Sequence, residues 1–141
     1  MKFWDSSAVV PLLVRQEASE PVRKLVRKDS SQVVWWGTRV ECDSAIARLE
    51  RQGYLDLRGV DEALRRLDLL AARWHEVQPL DTLRETARRM LRLYDLRTTH
   101  ALQLAAAFAT AEHRPSTLEF VCLDGRLSRA ATREGFVVRP A

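Results

Sequence analysis

The sequence predicts a single α/β domain, and three observations support this class. Short β-like runs alternate with helical stretches along the chain, which is typical of α/β folds. The chain has 141 residues, 46% of them apolar, which suits one domain with a sizeable core. Two similar segments, KFWD at 2–5 and EFVCLD at 119–124, are apolar runs that end on an aspartate followed by a small residue.

The first half of the chain is expected to contain two strands and four helices. In order, these are a strand over 2–5, helices over 8–16 and 20–28, a strand over 32–36, and helices over 38–52 and 61–75. Pro11 is tolerable only near a first helical turn. Ser19 is expected to be one N-cap and Thr38 another. Gly53 is the expected C′ residue of the third helix, and leucines at helical spacing mark the fourth.

The second half is expected to alternate in the same way. In order, these elements are an edge strand over 76–80, helices over 81–93 and from about 95 to 113, a strand over 119–123, a helix over 126–134 and a strand over 136–139. Pro79 excludes a central place for the first strand. The helix ending near His113 is apolar on most faces, which indicates a packed interior position. No repeat, low-complexity tract or linker interrupts the chain, so one domain over 1–141 is the simplest account.

Four polar residues fall at the edges of these predicted elements. Asp5 and Asp124 end strands, Glu41 lies in the first turn of a helix that follows a strand, and His100 lies near the start of the apolar helix. If the strands are parallel, all four meet at the carboxyl edge of the sheet, where ligands of open α/β folds bind. Three carboxylates there repel one another, and a divalent cation such as Mg²⁺ or Mn²⁺ relieves that repulsion.

Each of the four residues also has an explanation that involves no chemistry. Thr38 and Glu41 have the spacing of a capping box. Asp5 has the chemistry of an N-cap, Asp124 begins an Asp-Gly turn dipeptide, and a lone histidine is commonly a hydrogen-bonded core residue. Their joint placement favours a site, because independent caps need not face one edge.

The charge balance of the chain is basic. The net charge is +4 and the pI is about 9.6, and lysine occurs only at positions 2, 24 and 28. An arginine-rich surface suits phosphate contacts, because guanidinium binds them bidentately. A genome that prefers arginine codons is an equally good explanation. Cys42 and Cys122 lack CxxC spacing and clustered histidines, which argues against a structural zinc site.

No feature of the sequence indicates a membrane protein. No apolar run approaches the ~20 residues that span a bilayer. The N-terminal segment MKFWDSSAVVPLL has Asp5 inside what would be the apolar region of a signal peptide, and it lacks a convincing cleavage site. We therefore expect a cytoplasmic protein.

Four segments of the chain resemble the PIN-domain family, and within it the VapC-type ribonuclease toxins of type II toxin–antitoxin systems. They are FWDSSAVV at 3–10, TRVECDSAIAR at 38–48, LRTTHALQLAAA at 96–107 and FVCLDGRLSRAATREGFVV at 120–138. The resemblance covers nearly the whole length. It implies a three-layer α/β/α sandwich with a mostly parallel central sheet, and a Mg²⁺- or Mn²⁺-dependent endoribonuclease.

The resemblance also implies roles for particular residues. The acidic positions of the family fall on Asp5, Glu41 and Asp124, which would hold the metal. The small hydroxyl residue near the first aspartate falls on Ser7, with Ser6 adjacent. The implied chemistry is metal-assisted hydrolysis of an RNA phosphodiester.

Two positions depart from the family pattern. His100 stands where members normally carry an aspartate, and Cys122 stands where they often carry Thr or Ser. Imidazole is a poorer partner for Mg²⁺ than for Mn²⁺ or Zn²⁺. A protonated His100 would pair with Asp124 and oppose metal binding. Asp95 is five helical steps from His100, off its face, and is better interpreted as an N-cap.

These departures leave two functions open. The first is an active endoribonuclease toxin, in which His100 also takes part in the site. The second is a PIN module with weakened catalysis that acts by binding RNA or an antitoxin. A phospho-receiver domain is disfavoured, because the chain has no lysine beyond position 28 and its first strand ends in Asp-Ser-Ser.

The expected partners follow mostly from the resemblance. They are RNA, a cognate VapB-like antitoxin whose C-terminal segment lies in the active-site groove, and a second copy of the chain. Trp35, Trp36 and Trp74 suit such contacts, although burial in the core is the more common role of aromatic residues. Arg97 and Arg126 are candidate RNA-phosphate contacts and equally suit plain solvation.

Overall fold

A five-stranded parallel sheet forms the middle layer of the protein, as seen in a computed structural model that describes residues 1–140. Its strands are β1 (Lys2–Trp4), β2 (Gln32–Trp35), β3 (His75–Val77), β4 (Glu119–Val121) and β5 (Val137–Arg139). The spatial order is β3-β2-β1-β4-β5, and every neighbouring pair is parallel. The first strand of the chain is therefore the central one, and all five carboxyl ends point to one edge.

Within residues 1–140, seven α-helices cover the two faces of this sheet. They are α1 (Ser6–Leu13), α2 (Ser19–Lys28), α3 (Thr38–Arg51), α4 (Leu57–Ala71), α5 (Asp81–Leu93), α6 (Thr98–Thr110) and α7 (Gly125–Glu134). The buried side chains of α1 to α4 form one core, and those of α5 to α7 form the other. The predicted three-layer α/β/α class is thus confirmed.

The central strand supplies side chains to both cores. Phe3 packs with Phe120 under α5 to α7, and Trp4 packs with Val34 under α1 to α4. Phe3, Trp4 and Phe120 are completely buried. Burying a large apolar side chain contributes about 1.5–3 kcal/mol, so these positions hold the three layers together.

Helix α6 lies against the sheet as an interior element, as its composition predicted. Its residues at 101 and 104–107 are completely buried, and four of these five are alanines. Small side chains let the helix backbone approach the strands closely. This close approach carries the residues of the first turn of α6 to the carboxyl edge of β1 and β4.

Several predicted helix starts differ from the observed ones. Helix α1 begins at Ser6 and not at residue 8, because Asp5 caps it by accepting a hydrogen bond from the Ser7 backbone N–H at 3.1 Å. Pro11 consequently lies in the second turn. Helix α4 begins at 57 because Asp56 caps it, and it ends at 71, short of the buried Trp74.

Two residues predicted as N-caps, Ser19 and Thr38, are instead the first residues of their helices, and their hydroxyls bond other elements. Ser19 is the first residue of α2, and its hydroxyl donates to the Pro11 carbonyl at 2.7 Å. Thr38 is the first residue of α3, and its hydroxyl accepts from Gln103.

The N-cap assigned to Asp95 from the sequence is wrong. Helix α6 begins at Thr98 with Arg97 as its N-cap residue. Asp95 lies outside the helix, where its carboxylate is 3.8 Å from the Arg126 guanidinium. A one-turn 3₁₀ helix at Pro115–Thr117, which the sequence did not predict, precedes β4.

Glycines follow two of the helices, and Gly53 is at the position predicted from the sequence. Gly53 follows α3 with φ of 82°, and Gly135 follows α7 with φ of 104°. Both lie in the left-handed region that favours glycine. Within residues 1–140, no helix has the length and apolar character needed to cross a bilayer.

Replacing Gly135 by alanine should destabilise the fold by roughly 1–2 kcal/mol, the cost of holding an L-residue in the left-handed region. A Cβ there would meet only ordinary contact with Pro115 at 3.6 Å, so backbone strain accounts for the loss. Gly125→Ala, at the other end of α7, is the matched control and should change stability by less than about 0.5 kcal/mol. Urea unfolding of both variants measures the difference, and equal losses would contradict this account.

Candidate active site

A cleft of about 360 Å³ opens at the carboxyl edge of the sheet, between the starts of α1, α3, α6 and α7. The parallel strands bring all four polar residues that the sequence singled out to this one place. Together the cleft is lined by Asp5, Ser6, Ser7, Val10, Glu41, Ser44, Ala45, Arg48, Thr99, His100 and Asp124.

Asp5 lies at the base of the cleft, directly after the central strand. Its backbone N–H donates to the Val121 carbonyl at 3.0 Å, so it continues the pairing of β1 with β4. Its side chain is 1% exposed, and burial raises the pKa of the carboxyl, partly opposed by hydrogen bonds from Ser7. Oδ2 accepts both Ser7 bonds, whereas Oδ1 is buried without a hydrogen-bond partner.

Ser7 holds the floor of the cleft together. Its hydroxyl donates to Asp5 Oδ2 and accepts from the Leu123 backbone N–H at 2.9 Å. The Cys122 thiol lies 3.7 Å from the same Asp5 oxygen and 3.7 Å from the Ser7 hydroxyl. Burial, followed by the Asp5 charge, raises the pKa of Cys122 to about 12, so this thiol stays protonated as a weak donor.

Glu41 points its carboxylate into the cleft and away from the helix start. Oε1 accepts from the Ser6 hydroxyl at 3.0 Å, and Oε2 accepts from the Gln103 side-chain amide at 3.1 Å. Both carboxylate oxygens are thus engaged across the fold, which is not the arrangement of a capping box with Thr38. Burial raises the pKa of Glu41 to about 7, assisted by the Asp5 charge and opposed by the Ser6 and Gln103 bonds.

Gln103 is a site residue that the sequence reasoning missed. It is completely buried, and its side-chain Nε2 donates to the Thr38 hydroxyl at 2.9 Å as well as to Glu41. Its Oε1 has no hydrogen-bond partner. The available signal was a polar residue in an alanine-rich helix, one turn after His100.

Asp124 combines a capping role with a place in the cleft. Oδ1 accepts from the Leu127 backbone N–H at 2.9 Å and caps α7. Oδ2 lies 3.7 Å from His100 Nε2. The imidazole is 20% exposed, and its Nδ1 is buried without a partner. The two side chains therefore face each other across the cleft mouth.

The cleft is lined by acidic side chains whose negative charge is only partly compensated. Asp5 and Glu41 carry raised pKa values because burial, and for Glu41 also mutual repulsion, disfavours their charged forms. Oxygen donors of this kind suit a hard divalent cation, and the unpartnered Asp5 Oδ1 has a free position for one. As the side chains stand within residues 1–140, no three His, Cys, Asp or Glu groups are close enough together to hold a metal ion.

The remaining candidates lie outside the cleft. Arg97 and Arg126 are exposed, and neither lines it; Arg48, which the sequence did not single out, does. Trp35 and Trp74 are buried in the two cores, whereas Trp36 is 52% exposed.

Solved structures with the same fold as this chain include FitAcB and PAE2754. FitAcB from Neisseria gonorrhoeae aligns with a TM-score of 0.67 at 15% identity, over 98% of this chain and 96% of that one. PAE2754 from Pyrobaculum aerophilum aligns with a TM-score of 0.64 at 19% identity, over 97% of this chain and 87% of that one. At such identities the likeness establishes the three-layer fold alone. No protein-family profile and no curated protein sequence matches the chain.

Glu41 should make the metal-free protein less stable as the pH rises. Its pKa is near 4.5 when exposed and about 7 in the fold, so between these values the folded state holds the extra proton. The contribution of Glu41 to the free energy of unfolding is therefore fully present below about pH 4.5. It falls by about 3 kcal/mol as the pH rises to about 7, at 1.36 kcal/mol per unit of pKa shift. In Glu41→Gln this contribution should vanish.

Urea unfolding in EDTA across this pH range measures the difference. Glu50→Gln, an exposed change on the same helix, should follow the wild type. Parallel curves for the wild type and Glu41→Gln would rule out a buried, proton-holding Glu41.

Proposed function

We propose that this protein is a metal-dependent endoribonuclease of the PIN-domain type that acts as the toxin of a toxin–antitoxin pair. The observation that carries the proposal is the meeting of Asp5, Glu41 and Asp124 in one cleft at the carboxyl edge of the sheet. These residues are 119 positions apart at the extremes, and each matches an acidic position of the family that the sequence resembles.

The fold supports the same proposal. The resemblance implies a three-layer sandwich with a mostly parallel sheet, and the chain has one in which every strand pair is parallel. Open α/β sheets bind ligands outside the carboxyl ends of their strands, which is where the acidic cleft opens.

Asp5, Asp124 and Glu41 are the residues that would hold Mg²⁺ or Mn²⁺. When bound, such an ion would lower the pKa of a water nucleophile and stabilise charge on the phosphate. Some rearrangement of the three side chains would have to accompany binding. Binding would require Asp5 and Glu41 to lose their protons, and a cation nearby would lower their raised pKa values by stabilising the charged forms.

The surrounding residues would position these carboxylates. The Ser7 backbone N–H and hydroxyl both donate to Asp5 Oδ2. Ser6 and Gln103 each donate to one oxygen of Glu41. Because both donors to Glu41 are anchored on other helices, the carboxylate cannot swing freely toward solvent. These contacts would limit how far Glu41 has to move when the site assembles around a metal ion and a substrate phosphate.

His100 favours a second candidate, a PIN module with weakened catalysis that acts by binding RNA or an antitoxin. Its Nε2 lies 3.7 Å from Asp124 Oδ2, so a protonated imidazole would pair with a carboxylate that the metal needs. The neutral imidazole would instead be a ligand better suited to Mn²⁺ than to Mg²⁺.

The proposed partners follow from the function. They are an RNA substrate, a VapB-like antitoxin that closes the cleft, and a second copy of the chain in a homodimer. Exposed apolar side chains such as Trp36, Val40 and Leu69 are available for protein contacts.

Asp124→Asn should abolish most metal-dependent RNA cleavage, by about 100-fold or more, as expected when a charge-stabilising group is lost. Asparagine keeps the oxygen that caps α7, so the fold should persist. The measurement is cleavage of total cellular RNA in Mg²⁺ and in Mn²⁺, with Asp61→Asn, at an exposed position on α4, as the matched control. An absence of metal-dependent cleavage by the wild type would refute the nuclease proposal.

His100→Asp should raise the rate in Mg²⁺ relative to the rate in Mn²⁺, because it replaces imidazole by a hard oxygen ligand. The ratio of the two initial rates, compared with the wild type, measures this change. An inert wild type together with an active His100→Asp variant would favour the weakened module over the active enzyme.

A further inference from the structure

Three arginines lie along one face of α7, beyond the cleft. Arg126, Arg129 and Arg133 follow the i, i+3, i+7 spacing that places residues on the same side of a helix, and all three are exposed. The opposite face of α7, with Leu127, packs into the core. Arg126 and Arg133 are separated by about 10 Å along the helix axis.

These arginines border a second, smaller hollow of about 100 Å³. It lies between α7 and the segment that leads into α6, and it is lined by Tyr94, Asp95, Arg126, Arg129, Ala130 and Arg133. Three cationic side chains around one concave surface form a site whose chemistry suits an anion.

The acidic groups near this hollow leave two of the arginines uncompensated. Asp95 lies 3.8 Å from Arg126, in an ion pair whose carboxylate is 88% exposed. Glu134 accepts from the Tyr94 hydroxyl and lies 3.6 Å from Arg89.

Among residues 1–140, Arg129 and Arg133 have no carboxylate within ion-pair distance. Exposed unpaired arginines contribute little to stability, so folding does not account for this row of charge.

The row of arginines begins at the rim of the acidic cleft. Asp124, which lines the cleft, is the N-cap of α7, and Arg126 follows two residues later. The Arg129 guanidinium folds back over the first turn of α7, since its Nη1 lies 3.4 Å from where a Cβ on Gly125 would stand. A phosphodiester backbone leaving the cleft on this side would pass Arg126 first, then Arg129 and then Arg133.

We propose that Arg126, Arg129 and Arg133 form a phosphate track that binds the backbone of single-stranded RNA beside the cleft. The identity of the ligand as RNA rests on the proposed nuclease function. Guanidinium groups bind phosphate oxygens bidentately, and contacts to the backbone carry no sequence information. The track therefore supplies affinity and direction, and the carboxylates of the cleft supply the chemistry.

The test is the salt dependence of RNA binding by the full chain in EDTA, where cleavage cannot interfere. A short fluorescent single-stranded RNA is titrated by anisotropy between about 50 and 200 mM KCl. Arg129→Gln/Arg133→Gln should lower the magnitude of the salt slope by about 1.4, since each phosphate contact contributes about 0.7. The same loss corresponds to roughly 25-fold weaker binding at 0.1 M salt.

Two matched variants separate the track from general charge. Arg65→Gln/Arg73→Gln removes the same charge from an exposed position on α4 and one just after it, on the other face of the sheet, and should leave the slope unchanged. Arg129→Lys/Arg133→Lys keeps the charge and should restore the slope. Thermal unfolding midpoints equal to the wild type establish that each variant folds.

The possible failures are distinguishable. Suppose that the wild type binds RNA, and that the salt slope falls equally in Arg129→Gln/Arg133→Gln and Arg65→Gln/Arg73→Gln or falls in neither. The track is then refuted while the nuclease proposal stands. If the wild type neither binds nor cleaves RNA, both proposals are refuted. If an acidic protein segment binds the track but RNA does not, the RNA track is refuted in favour of a protein interface.

Discussion

The parallel pairing of the central strand with both of its neighbours is the constraint on which the site depends. β1 pairs with β2 on one side and β4 on the other, with Lys2 opposite Gln32 and Glu119. Because all strands run the same way, Asp5, Asp124 and the start of α3 come to one edge. A single antiparallel strand among these three would send one of the acidic groups to the opposite edge. The completely buried Phe3, Trp4 and Phe120 hold this arrangement in place from both faces.

The buried carboxylates that this arrangement brings together are not equally hydrogen-bonded. Ser7 compensates one oxygen of Asp5, Ser6 and Gln103 compensate Glu41, and the Asp5 Oδ1 atom has no partner. Burial raises the pKa values of Asp5 and Glu41 by more than these hydrogen bonds lower them. Perturbed titration in a cleft is more common at functional sites than in purely structural ones. Asp5 and Glu41 are therefore the residues whose charged forms the proposed cation would stabilise.

Local sequence signals predicted helix ends and strands well where a backbone conformation favours a particular residue type. Gly53 and Gly135 end their helices in the left-handed region, and the run at 32–36 forms a strand. N-caps were poorer guides, because short polar side chains have several possible partners. Ser19 bonds a carbonyl of α1, and Thr38 bonds Gln103, so both are drawn away from capping by contacts that no local pattern encodes.

The sequence by itself determined the α/β class, the order of the elements and the placement of Asp5 and Asp124 after strands. These features follow from periodicity and chain order, which act over a few residues. Only the tertiary structure decided that Glu41 bonds Ser6 and Gln103, that His100 faces Asp124, and that the α7 arginines border a hollow beside the cleft. The first two bonds join residues 35 and 62 positions apart. Contacts of that separation exist only once the sheet and its two helical layers have assembled, because packing, and not local preference, sets their geometry.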